Sequence, residues 1–189
     1  ARALLRDWNA ARHPAHWPPL PLPLLLALVC DALMRGEPEV GVAFLVGFLG
    51  LLRVSEISAL QVRDVVFPGD GRLWGERHAL LVLRHTKTGD DLTAELPDHW
   101  AWPTLRAWVD LGRRGVGISG ALFPSPPDLR AAMRRGLSRL GCPADLYVMH
   151  SLRAGGALAL VSAGATLDEV LRRGRWRQPN SVRPYVQRL

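Results

Sequence analysis

The chain has 189 residues, 48% of them hydrophobic, and a formal net charge of +7. That length supports one sizeable core, and so basic a balance favours a polyanionic partner, of which nucleic acid is the commonest. The longest apolar runs, 20–30 and 40–52, fall short of the roughly 18 residues a membrane span needs, which excludes a helical membrane span as the reading of either.

Residues 1–17 read as a broken piece of helix carrying Trp8 and Trp17. The prolines at 18, 19, 21 and 23 disfavour helix and extend the chain, so 18–23 is expected to be a linker and a domain boundary. Residues 24–35 and 38–52 follow as two apolar helices broken at Gly36. Residues 53–60 form a short amphipathic helix that Ser55 can cap. Residues 62–67 have strand character, and 68–71 form a turn. Residues 78–86 and 92–96 read as a hairpin around Lys87. Helices are then expected near 100–114, 127–140, 151–163, 167–173 and 180–188. The order predicts a mainly α (α+β) domain over 24–189, with a small three-stranded antiparallel sheet.

Several chemistries lack their residues. A phosphate-binding P-loop needs Gly-Lys-Ser/Thr, but Lys87 follows Thr86. There is no C-x-x-C, H-E-x-x-H or EF-hand pattern. His13 and His16 flank Pro14 and read as a solvated pair rather than metal ligands. The run 117–121 falls one residue short of a nucleophile elbow. Glu56, Asp64 and Asp70 have no spacing that demands a divalent ion. Cys30 and Cys142 sit in no ligand pattern. They suggest a reduced intracellular protein, with one disulfide as the alternative.

Residues suited to phosphoryl transfer are present. Arg53 opens a helix with Glu56 three residues on. An arginine fork suits phosphate oxygens, and a carboxylate at that spacing can hold it in place; a plain surface salt bridge is the competing reading. His150 and Arg153 stand three apart at a helix start, facing one direction. They can share a phosphate, or be a capping histidine and an exposed arginine. Ala154-Gly155-Gly156-Ala157 lets that helix pack closely on a neighbour. Tyr185 is one of two tyrosines; its phenolate could attack phosphorus, though a lone tyrosine is normally a packing residue. Lys87 is the only lysine among 24 basic residues. Either it survived by chance, or it supplies a proton, which arginine does not do. Arg172, Arg173, Arg175 and Arg177 could contact DNA phosphates or form a solvated basic face.

Taken in order, these boxes resemble the tyrosine recombinases, the phage-integrase-like recombinases. The run 51–60 (Leu-Leu-Arg-Val-Ser-Glu-Ile-Ser-Ala-Leu) resembles the family's first-arginine box, and Thr86-Lys87-Thr88-Gly89 its hairpin lysine. His150-Ser151-Leu152-Arg153 is similar to its H-x-x-R box. Gly174-Arg175-Trp176 resembles its Gly-x-His/Trp position, with Tyr185 at the nucleophile's distance beyond Trp176. The stretch 150–176 looks most like recombinases of eukaryotic mobile elements, the DIRS-like retrotransposons and the Cryptons.

The resemblance implies a mechanism. Tyr185 attacks the scissile phosphate, giving a 3′-phosphotyrosyl bond and a free 5′-hydroxyl. Arg53 and Arg153 stabilise the non-bridging oxygens. Lys87 protonates the leaving oxygen, and His150 assists the phenol's proton loss. Trp176 donates its indole N–H or packs behind Tyr185, and Glu56 supports Arg53 and His150. Attack by another 5′-hydroxyl reverses the first step. No metal and no nucleotide cofactor is implied. The implied partners are double-stranded DNA and, during synapsis, a homotetramer of the chain. The implied place is with DNA inside the cell, in the nucleus if the origin is a eukaryotic mobile element.

The family's N-terminal DNA-clamp domain is represented at most by a remnant in 1–17. No C-terminal segment of the kind many relatives exchange between subunits follows Tyr185. The first residue is Ala, with no signal-peptide pattern. The expectation is a fragment of a longer protein that by itself binds DNA weakly. Two rivals share part of the pattern. A type IB topoisomerase uses the same chemistry but usually carries Lys where His150 sits. A domesticated DNA-binding module that no longer cuts would not need the full residue set.

Overall fold

A computed structural model describes residues 17–70, 78–86, 89–96 and 101–182 of the chain. Among them are seven α-helices and one small sheet. The helices are α1 (Leu22–Met34), α2 (Pro38–Leu49), α3 (Val54–Ala59), α4 (Trp102–Gly115), α5 (Pro126–Arg139), α6 (Met149–Ser162) and α7 (Leu167–Gly174). The strands are β1 (Val65–Val66), β2 (Ala79–Thr86) and β3 (Gly89–Leu96), antiparallel in the order β1-β2-β3. This is the expected mainly helical α+β architecture.

Helix α2 is central. Every residue from Val40 to Phe48 is buried, as expected of a helix that is apolar all round. Helix α6 crosses it at very close range. A Cβ at Gly156 would lie 2.0 Å from the Phe48 carbonyl oxygen, and one at Gly155 would lie 2.1 Å from that of Leu20. The small run 154–157 therefore does what its composition suggests, and it brings the start of α6 beside the α2–α3 turn.

The described part of the proline run packs against the helical core. Leu20 is buried and donates its N–H to the Ser151 carbonyl at 2.9 Å. Helix α1 begins at Leu22, with Pro23 in its first turn. Proline is tolerated there because the N–H it lacks would have no intrahelical partner. Residues 1–16 lie outside the described part, and with them Trp8, His13 and His16.

The sheet is narrower at one edge and longer at the other than the sequence suggests. Residues 62–64 form a 3-10 turn, leaving β1 two residues. The Asp64 carboxylate accepts the Gln61 N–H at 3.0 Å and the Arg84 Nε–H at 2.8 Å. These bonds hold a turn where the alternation of residue types suggests extended chain. Strand β3 starts at Gly89, paired with Thr86, rather than at Leu92. Ala79, Leu81, Leu83, Ala94 and Leu96 point into the core, the alternation of a sheet with one buried face. Cys30 and Cys142 are unbridged. No described helix is long and apolar enough to cross a membrane.

Candidate functional site

The site assembles around one carboxylate. Arg53 caps α3, with its φ and ψ of −78° and 153° in the extended region. Glu56, in the first turn, turns back to accept the Arg53 backbone N–H at 2.9 Å. This carboxylate, rather than Ser55, satisfies the helix start, because it reaches one of the free N–H groups and favours the positive end of the helix. The other Glu56 oxygen accepts Arg53 Nη1–H at 2.5 Å.

Two further arginines arrive from distant parts of the chain. Arg153 projects from α6 with its side chain 1% exposed, and its Nη1 lies 3.8 Å from Glu56 Oε2. Its Nη2–H donates to the Gly174 carbonyl, and its guanidinium stacks 4.3 Å above the Trp176 ring, a favourable geometry for a cation over an indole face. Gly174 is required there, since a Cβ would collide with the Trp176 ring. Arg175 reaches Glu56 Oε2 at 3.0 Å. Burial by itself would raise the Glu56 pKa. The Arg53 N–H, the Arg175 charge and the Arg53 guanidinium outweigh it and hold the group below its ordinary value, so a buried anion faces three cations.

The expected residues fall into three groups. Arg53, Glu56, Arg153 and Trp176 come together. His150, on the first turn of α6, is exposed, whereas Arg153 is buried. His150 borders a cavity of about 530 Å³, whose walls include Trp17, Val54, Arg130, Arg134 and Tyr147. Lys87 and Tyr185 lie outside the described residues. In sequence, Lys87 falls between the paired ends of β2 and β3.

The four candidate DNA contacts differ from one another. Arg177 is exposed. Arg172 is exposed but paired with Glu95 on β3, with Nη1 and Oε1 2.6 Å apart. Arg173 is partly buried. Arg175 is turned inward, its side chain 8% exposed, and so does not lie on the outer basic face. The sequence reading also passes over Arg130 and Arg134. Their i,i+4 spacing on α5 places them on one helix face, a signal present in the sequence. Arg63 and Arg84 border a smaller cavity, about 240 Å³, that Glu56 also lines. Among the described residues, no group of three His, Cys, Asp or Glu is placed to hold a metal ion.

No protein-family model matches the chain, and no curated protein matches it. Solved structures do. An XerA recombinase superimposes with a TM-score of 0.70 at 17% identity, over 93% of this chain and 60% of that one. The XerH site-specific recombinase, in a post-cleavage complex with palindromic difH substrate, gives 0.69 at 16%, over 90% and 50%. A lambda integrase (75–356) dimer bound to a COC′ core site gives 0.63 at 15%, over 94% and 63%. The chain thus has the fold found in these site-specific recombinases and integrases, and it spans about half to two thirds of their length.

Proposed function

We propose that the chain is the catalytic domain of a site-specific DNA recombinase or integrase, breaking and rejoining strands through a 3′-phosphotyrosyl intermediate on Tyr185. The observation that carries this reading is the meeting of Arg53 and Arg153 at Glu56. Those arginines come from two separate sequence boxes, and they meet within a fold seen in recombinases. Two guanidinium groups on one phosphate would neutralise the charge that grows on its non-bridging oxygens. In this scheme Lys87 delivers the proton to the leaving 5′ oxygen, and His150 assists the phenol. Trp176 backs Arg153, and Glu56 holds both arginines. Neither metal nor nucleotide takes part.

The substrate is double-stranded DNA, met inside the cell, with a tetramer of the chain holding two sites at synapsis. The likeness of residues 150–176 to DIRS-like and Crypton recombinases suggests a mobile element as its source and the nucleus as its place of action. Arg130, Arg134 and Arg177 add exposed positive charge for a polyanion.

A nicked suicide duplex tests the reading. The full chain should leave a protein–DNA adduct that resists denaturation, and Tyr185→Phe should leave none. An adduct that survives Tyr185→Phe, or no adduct from the unaltered chain, would overturn it.

A further inference from the structure

Arg175 occupies a position that a glycine would fill with less strain. Helix α7 ends in a Schellman turn: the Arg175 N–H donates to the Arg172 carbonyl and the Trp176 N–H to the Leu171 carbonyl. The residue after the helix takes left-handed φ and ψ, here 56° and 39°. Glycine adopts that conformation freely and residues with a Cβ do not. The side chain is costly as well. Its guanidinium is withdrawn from water, and its Nε has no hydrogen-bond partner among the described residues.

The other guanidinium nitrogens account for both costs. Nη2–H donates to Glu56 Oε2 at 3.0 Å and to the Leu51 carbonyl at 3.2 Å. Nη1–H donates to the Arg173 carbonyl at 3.1 Å and to the Gly50 carbonyl at 3.5 Å. Leu51 is itself left-handed, with φ 50°, and it stands two residues before Arg53. One planar fork thereby ties the turn that carries Trp176 to the turn that carries Arg53. Because Arg175 takes Oε2, Oε1 is left to Arg53 Nη1.

We infer that Arg175 is a positioning residue for strand cleavage: it sets the Arg53, Glu56, Arg153 and Trp176 constellation by clamping the two turns. The inference rests on the cleavage reading above. Glu56 faces Arg53 on its own helix, Arg153 from α6 and Arg175 from the α7 turn, with Arg63 and Arg84 bordering the same cavity. Removing one of these cations makes the carboxylate easier to protonate.

The test compares the full chain with R175G and R175K on the nicked duplex, in single turnover across pH. R175G suits the backbone and removes only the fork. Its adduct should form about a hundredfold more slowly, the scale of a misplaced catalytic group. DNA affinity should stay within about threefold of the unaltered chain's. Its acid limb should begin at higher pH. R175K keeps the charge without the fork, so it should restore the acid limb but only part of the rate. Wild-type cleavage rates in R175G would overturn the inference. So would a loss that tracks the fraction unfolded in thermal melts, with the acid limb unmoved. Absence of an adduct from the unaltered chain would overturn the cleavage reading itself, a separate result.

Discussion

Two carboxylates in this chain each gather arginines, and they do so in opposite settings. Asp31 on α1 binds Arg139 of α5 and Arg35 just past the end of α1; those side chains are 15%, 26% and 49% exposed. Glu56 binds Arg53 and Arg175 and lies near Arg153; apart from Arg53, at 26%, these side chains are 8% exposed or less. In water the Coulomb gain is small and salt screens it. In the interior the ions have given up hydration, so each depends on the others. The surface cluster joins two helices that already pack together. The buried one ties the α2–α3 turn, helix α6 and the turn after α7, elements that also pack around Leu51, Ala154 and Val170, and those elements carry the candidate catalytic residues.

The largest expected effect is therefore Glu56→Ala, which strands buried guanidinium groups. It should cost about 3–5 kcal/mol, measured by urea denaturation, and a cost under about 1 kcal/mol would remove the distinction between the clusters. Next comes Gly156→Ala. Its new Cβ meets backbone rather than a flexible side chain, so α6 must move off α2. The cost should be about 1–3 kcal/mol, as for other overpacked cores. It should also slow adduct formation, because Arg153 rides on that helix.

Acid sharpens the comparison. The folded Glu56 pKa is lower than the unfolded one. The stability it supplies is therefore complete above the ordinary carboxylate range and disappears as pH falls through the folded value. Subtracting the Glu56→Gln stability profile from that of the unaltered chain should show this loss on the acid side only. Arg139, the first of its causes, lowers the Asp31 pKa too, so the sign is the same there. The smallest effect is then Asp31→Asn at neutral pH. It should cost under about 1 kcal/mol and vanish in high salt, and a larger, salt-insensitive cost would mean that the surface cluster behaves like the buried one.

The helices were legible because they follow local rules. Pro38 and the run 154–157 announce a helix start and a close crossing in their own neighbourhoods. The reach of α1 into the proline run was not legible, because proline disfavours a helix interior yet suits a first turn. Residues 62–64 misled because the side chain of Asp64 outweighs β-branched alternation. At the site, the Arg53–Glu56 pairing was readable from spacing. The inward turn of Arg175 was not. Left-handed backbone at a residue with a Cβ leaves no mark in the sequence, and its partners at Gly50, Leu51 and Glu56 are more than a hundred positions away. The sequence offered Arg175 as one of four surface arginines, and only packing separates it from Arg177.

Every step of the proposed strand exchange passes through Tyr185. Mass spectrometry of peptides from the trapped adduct tests this most directly. A nucleotide phosphoester on Tyr185 is the predicted result. The same modification on Tyr147, or on any other residue, would contradict it.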